Sequence, residues 1–341
     1  MGEHQVLYKR PLLVRSISAA IALVLVATNI GGAYAGQVKK SIANAAIIEE
    51  GPAMAGSYNT SHTVAFKQMC ATYAFKCRVV DNVNYPQAAQ TLQSLASQGM
   101  NLIVANSNGY ADALIQVAPQ HPKVWFVMTS DITSTKGNKN VAGFIQDWQQ
   151  FGFLGGAAAG YLSKKGTMGY VVGQPLTAAQ RMISGFAQGA RLVKPHAKLL
   201  VRYTNSWTDT GAAKEAAIAE IGSGADVVTA VDGGGNPGVI EAAQEKKVDY
   251  IGYLADEYKS APGRIPTSMV VNVHKIYTQI GHKYTTHTLK PKLYVGTVAN
   301  GIIRLAPLRG VPASTKAKIF AVVAKVRSGA IRVKETLYPV H

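Results

Sequence analysis

The stretch that decides the fold is Gly166–Asp209, GTMGYVVGQPLTAAQRMISGFAQGARLVKPHAKLLVRYTNSWTD. Gly166–Val172 is an apolar run of strand length, Ala178–Val193 carries helical spacing, and Lys198–Tyr203 is a second strand. That strand stops at Asn205-Ser206-Trp207-Thr208-Asp209, setting an aromatic ring beside a carboxylate. Small molecules bind outside the carboxyl ends of strands in open α/β sheets, so the unit predicts a ligand-facing loop.

The alternation extends both ways. Upstream, strands are predicted at Ile42–Glu49, Arg78–Val83, Asn101–Ala105, Val124–Met128 and Val141–Phe144. Helices are predicted at Thr63–Phe75, Pro86–Gln98 and Tyr110–Ala118, with Gly51–Ser61 a polar loop. Downstream come the helix Gly211–Ile221, the strand Val227–Val231, the helix Asn236–Lys246 and the strand Tyr250–Tyr253, which reaches Asp256. Between the two runs, Gln149–Ser163 reads as a Gly/Ala-rich helix whose small residues permit close packing on a neighbour. Two runs of about 100 residues each, strands alternating with helices, predict two lobes built on parallel sheets. The tail reads as a strand at Met269–Val273, a helix at Lys275–Thr286, a β segment at Thr297–Leu305 and a helix at Thr315–Ser328. It is expected to weave back through both lobes. The expected boundaries are 36–147 with about 257–290 for the first lobe, and 148–256 with about 291–341 for the second lobe and the hinge.

Residues 1–35 read as an export signal. Lys9, Arg10 and Arg15 precede an apolar run over Ile17–Thr28, and Ala33-Tyr34-Ala35 offers a small-x-small cleavage site before Gly36. The run is shorter than the ~20 residues of a membrane-spanning helix. No cysteine lies nearby, so an exported protein without lipid at an N-terminal cysteine is expected.

The formal net charge of +17 is spread along the chain without a run of five or six basic residues. It is read as a general surface property, and no nucleic-acid partner is expected; the scarcity of carboxylates would suit acidic surroundings. Cys70 and Cys77 are the only cysteines. In one unbroken helix they would stand ~10 Å apart, too far for a bridge. If the helix ends near Tyr73 and Cys77 opens a strand at Lys76–Val80, a disulfide becomes possible, and the sequence leaves both readings open. Two cysteines and scattered histidines do not make a metal site.

Several segments together resemble one family, the basic membrane protein or purine nucleoside receptor family of ABC-transporter solute-binding proteins. They are Asn140–Gly143 with Gly152–Leu162, Lys165–Gly173, Arg181–Gly189, Tyr203–Asp209, Gly224–Val231 and Ile251–Asp256, in order and at similar spacing. The resemblance implies an α/β, two-lobed type I periplasmic-binding-protein fold, each lobe a mostly parallel sheet flanked by helices. It implies a monomer without cofactor or catalysis that closes over a purine nucleoside or related solute and presents it to an ABC permease. Carried onto this chain, the ligand positions are Tyr58 and Asn59 in the first loop, Trp207 with Asp209, Asp232, and Asp256. Tyr58 and Trp207 from opposite lobes would sandwich a base, Asp256 would accept from ribose hydroxyls, and Asn106 and Ser107 would read the base edge. Two departures stand out. The family's D-x-D after the Ile251 strand is here Leu254 and Asp256, and its lysine near Val271 has no counterpart, since Lys275 is out of register.

Bland roles compete for the same residues. Trp207 would pack in the hinge, Asp209 would cap the helix near Gly211, and Tyr58 would be an exposed loop aromatic. Gly233-Gly234-Gly235-Asn236-Pro237-Gly238 fits the dinucleotide fingerprint, with Asp256 about twenty residues on. It follows the third strand of its lobe and contains Pro237, so Gly233 is read as opening a ligand-facing turn rather than the cofactor site of an oxidoreductase. No hydrolase motif occurs in a suitable context, and His62, close to the first loop, is read as structural or solvated, with orientation of a ligand as the alternative. A receptor feeding a membrane sensor is the remaining alternative to transport.

Overall fold

The computed structural model describes residues 43–54 and 57–339, so the expected export signal lies outside the described residues. In chain order the first run comprises β1 (Asn44–Ile48), α1 (Ser57–Tyr73), β2 (Lys76–Val80), α2 (Ala88–Ser97), β3 (Leu102–Ala105), α3 (Ala111–Val117), β4 (Trp125–Met128) and β5 (Val141–Gln146). The second comprises α4 (Trp148–Leu162), β6 (Thr167–Val172), α5 (Thr177–Val193), β7 (Lys198–Tyr203), α6 (Thr210–Gly222), β8 (Val227–Val231), α7 (Asn236–Lys246), β9 (Asp249–Leu254) and β10 (Thr267–Val271). The tail adds α8 (Val273–Thr285), β11 (Leu293–Gly296), β12 (Ile303–Leu305) and α9 (Ala313–Arg327).

These strands form two six-stranded sheets, ordered β11-β5-β4-β3-β1-β2 and β12-β10-β9-β8-β6-β7. The two orders correspond strand for strand. The ladders are parallel apart from β10 with β12. Sheets covered by helices on both faces need strands apolar on both faces. Accordingly β3 (LIVA), β8 (VVTAV) and β10 (TSMVV) are buried at every residue, while the edge strand β7 is only half-covered.

The tail differs in register from the expectation. β10 pairs with β9, so the chain up to Val271 belongs to the second sheet, where the first lobe was expected from about 257. β11 pairs with β5, so Leu293–Gly296 belongs to the first sheet rather than the second. The expected single β segment Thr297–Leu305 is a crossover ending in β12. Three connections therefore join the lobes: β5 to α4, β10 to α8, and β11 to β12. They bond to one another, with Asp147 N–H donating to the Gly296 carbonyl at 2.9 Å and Asn272 N–H to the Ile302 carbonyl at 2.7 Å.

The condition set for a disulfide is met. α1 ends at Tyr73, Ala74 turns with φ +55°, β2 begins at Lys76, and the bridged Cys70 and Cys77 have Cα atoms 6.1 Å apart. The small residues of α4 do what their composition predicts. A Cβ on Gly152 would lie 1.9 Å from the Met182 carbonyl oxygen, and one on Gly156 would lie 1.9 Å from that of Phe186. On the facing helix α5, Gly185 and Gly189 are equally close to the Gln149 and Phe153 carbonyl oxygens, at 2.1 Å each. The two backbones touch, and no side chain fits between them.

Gly156→Ala should therefore cost roughly 3 kcal/mol or more through forced separation of α4 and α5. Gly222→Ala, where an added Cβ meets nothing within 4 Å, should be neutral or slightly stabilising. Denaturant unfolding of the two variants checks the contrast.

Candidate ligand cleft

A parallel sheet opens a crevice where its strand order reverses, because the connections on either side leave toward opposite faces. In the first sheet that point lies between β1 and β3, and in the second between β6 and β8. The residues just past those strand ends are Glu49, Asn106, Gly173 and Asp232.

In the first lobe Glu49 is fully buried at the end of β1. It accepts hydrogen bonds from Thr63 Oγ1 at 2.8 Å and Asn106 Nδ2 at 3.4 Å. Asn106 Oδ1 in turn accepts from Thr129 at 3.0 Å. Ser107 is buried beside Tyr85, with 3.0 Å between hydroxyls, and both Tyr85 and Ser107 hydroxyls donate to Glu50. Tyr58 lies in the first turn of α1, since the helix starts six residues before the expected Thr63. Its hydroxyl bonds Ser130 and its ring rests on His62 at 4.5 Å. Burial lowers the His62 pKa to about 3, and its Nδ1 is 3.1 Å from the Tyr277 hydroxyl, so the neutral imidazole backs Tyr58 as a structural group.

In the second lobe the half-buried Trp207 ring lies on the end of β6, where a Cβ at Gly173 would come within 2.3 Å of it. Its carbonyl accepts from Gly234 N–H at 2.8 Å. Asp232 is fully buried at the end of β8 and accepts from Thr204 Oγ1 at 2.8 Å. Its other oxygen, and the Nδ2 of buried Asn236, have no hydrogen-bond partner among the described residues. Tyr253, at the end of β9, packs edge-on to Phe151 and lies within electrostatic reach of Tyr58 and Asp131 of the first lobe. The strand then turns at Leu254 with φ +63°, a conformation that costs a branched side chain about 1 kcal/mol.

The structure thus gathers Tyr58, Asn106, Ser107, Trp207, Asp232 and Gly233 at the two switch points. The turn at Gly233–Gly235 approaches α1. Three expected residues are placed otherwise. Asp209 is exposed and caps α6, accepting from Ala212 N–H at 2.9 Å. Asn59 points back to the Pro52 carbonyl, 3.4 Å away. Both oxygens of Asp256 are taken by Arg309, at 2.8 and 2.7 Å, so it is held in an ion pair rather than offered to a sugar. The fingerprint glycines also have internal roles. Gly233 has φ +52°, the N–H groups of Gly234 and Gly235 bond Trp207 and Asp232 carbonyls, and a Cβ on Gly238 would strike the Thr210 carbonyl oxygen at 2.1 Å.

Comparison with known proteins decides the family. The profile described as "ABC transporter substrate-binding protein PnrA-like" matches residues 42–335. The chain belongs to that family. A purine-binding protein of Brucella abortus is 25% identical over 303 residues, covering 88% of this chain and 84% of the relative. An ABC transporter nucleoside-binding protein of Lactococcus lactis subsp. cremoris is 28% identical over 218 residues, 60% of this chain and 62% of that one. A solved ABC transporter solute-binding protein from Conexibacter woesei superposes with a TM-score of 0.72 at 24% identity, over 86% of this chain and 98% of that one, which supports the two-lobed fold. ABC substrate-binding proteins work on the extracytoplasmic side, and among the described residues no helix is long and apolar enough to cross a membrane.

For this substrate-binding protein, sequence reading missed Glu49, Tyr253, Asp131, Trp148 and Glu257, whose carboxyl accepts from the Tyr253 N–H at 2.8 Å. Glu49 follows the first strand as Asp232 follows the eighth, so the same strand-end rule finds it. Trp148 and Asp131 meet only in three dimensions, with the indole donating at 2.9 Å. Burial raises Glu49 and Glu257 to about 7 and Asp232 to about 6, against weaker lowering by their hydrogen bonds. The native state therefore keeps protons that the unfolded chain releases. Their contribution to stability is full below the ordinary carboxylate pKa and is lost as pH rises through about 6 to 7. The unfolding midpoint should fall between about pH 5 and about pH 8, and the fall should be smaller in Glu49→Gln. Calorimetric scans across that range check it.

Proposed function

We propose that the cleft captures a purine or purine nucleoside and delivers it to an ABC permease in the membrane, with no chemistry on the ligand. The observation that carries this reading is the pairing of aromatic rings with buried carboxyls at both switch points. Tyr58 from the first lobe and Trp207 or Tyr253 from the second supply flat apolar faces, and stacking on such rings stabilises a base by ~1–3 kcal/mol. Glu49 and Asp232 titrate near neutrality, so each can donate to or accept from a purine edge. The unpaired Asp232 oxygen and Asn236 amide add an acceptor and a donor. The purine-binding and nucleoside-binding relatives support the same ligand class.

The Arg309–Asp256 pair refines the ligand. With that carboxylate already bound at both oxygens, the ribose-reading role drawn from the family is not available in its usual form. The free base should bind within about threefold of its nucleoside, a difference of under ~1 kcal/mol. The test is thermal unfolding of Gly36–His341 against adenine, hypoxanthine, guanine, their nucleosides, urate, sugars and amino acids. A ligand at ~100 times its dissociation constant stabilises by ~2.7 kcal/mol. Stabilisation by purines, abolished in Tyr58→Ala and Trp207→Ala, is the expected result. Stabilisation by sugars or amino acids alone would overturn the assignment. A nucleoside more than about tenfold tighter than its base would restore a ribose contact.

A further inference from the structure

The chain carries no carboxylate between Tyr258 and Lys334, a stretch that holds 14 lysines and arginines. Charge spread evenly through the composition is therefore unevenly placed in the fold. Part of this acid-free stretch forms α8 and β11, which lie with α1 and β5 on the first lobe, and neither α1 nor β5 contains an aspartate or glutamate. Between α8 and the β11–β5 edge lies a cavity of about 570 Å³. That volume falls in the range of small-molecule sites.

The cavity has two kinds of wall. Phe144 and Tyr294 are stacked, with centroids 4.6 Å apart and planes at 17°, and Ile276 and Ile302 extend the apolar surface. Lys283 and Lys292 bring their ammonium groups to 4.9 and 5.0 Å from the centre of the Tyr294 ring. His282 also lines the space. Neither lysine forms an ion pair among the described residues. Two ammonium groups within about 5 Å of one ring centre repel each other, α1, α8, β5 and β11 supply no carboxylate to offset them, and an anion between them would relieve that repulsion.

We propose that this cavity is a second binding site, separate from the cleft, for an organic anion with a flat apolar body, such as an aryl carboxylate or sulfonate. The apolar body lies against Ile276, Ile302 and the edge of Tyr294, and the anionic group meets Lys283 and Lys292. Gly296, Asn300 and Ile302 line the cavity and belong to, or flank, the β11–β12 crossover. Asn300 locks that crossover, with Oδ1 accepting from Thr297 N–H at 2.9 Å and Nδ2 donating to the Val295 carbonyl at 2.7 Å. A bound anion therefore touches one of the three connections on which the lobes turn.

The test is calorimetric titration of the full chain with 2-naphthalenesulfonate, with 2-naphthalenemethanol as the uncharged control. The expected result is saturable sulfonate binding that weakens as salt rises. The Lys283→Gln/Lys292→Gln variant should lose about tenfold in affinity, and the alcohol should bind much more weakly than the sulfonate. Hydrogen exchange at Val295–Ile302 should slow on binding. The response of the same double variant to the purine panel should be unchanged, which separates this site from the cleft. Absence of saturable sulfonate binding, equal affinity in the double variant, or protection confined to the cleft would overturn the proposal.

Discussion

The cleft depends on the reversal of strand order beside β1 and β6. A parallel sheet whose connections leave in opposite directions cannot cover the ends of the two strands at the reversal, so the chain must fill that gap with loop residues. In both lobes it fills the gap with carboxyl and amide side chains held by hydroxyls: Glu49, Asn106 and Thr129 on one side, Asp232, Asn236 and Thr204 on the other. Helices pack over both faces and strip water from these groups. The raised pKa values follow from topology, and so does the capacity of one carboxyl to act as donor or acceptor.

Closure around a ligand needs lobes that move without deforming. The second lobe is stiffened where α4 and α5 meet backbone to backbone through Gly152, Gly156, Gly185 and Gly189. In the first, the Cys70–Cys77 bridge ties α1 to β2, and Tyr277 of α8 packs against His62 and Phe66 of α1. What remains free to turn is the set of three crossovers. They are bonded to one another, and Gln150 of α4 accepts from Val298 N–H at 3.0 Å. Hinge motion of this kind concentrates the change in a few residues at element ends.

The alternation of strands and helices was legible because buried parallel strands are short apolar runs between breakers, and most predicted elements match within a few residues. The tail was less legible for a physical reason. A strand that closes a sheet edge, such as β11 or β12, carries no signal of which sheet it joins, since pairing depends on where the crossover leads. The start of α1 was missed because SYNTSH is polar and has no apolar period, although Tyr58 and His62 sit one turn apart with their rings in tilted contact. Among the site residues, Asp209 and Asp256 show the limit of reading carboxylates at strand ends. Position puts both near the cleft, but a helix N-terminus claims one and Arg309, far along the chain, claims the other. An ion pair between residues separated by 53 positions leaves no local mark in the sequence.

Charge illustrates the same point at larger scale. Counted along the chain, lysines and arginines look diffuse, and no window stands out as a basic motif. The decisive quantity is where the carboxylates are. In the first lobe Glu49, Glu50 and Asp81 lie at or just beyond the carboxyl ends of β1 and β2, and Asp131 lies in the loop beyond β4. The layer formed by α1 and α8 has none. A surface rich in lysine becomes electrostatically directional only when opposing charges are removed from the same face. The first lobe thus presents carboxyl-rich loops at its cleft and an uncompensated cationic layer elsewhere. The β11–β12 crossover belongs to the hinge and also borders the cavity in that cationic layer.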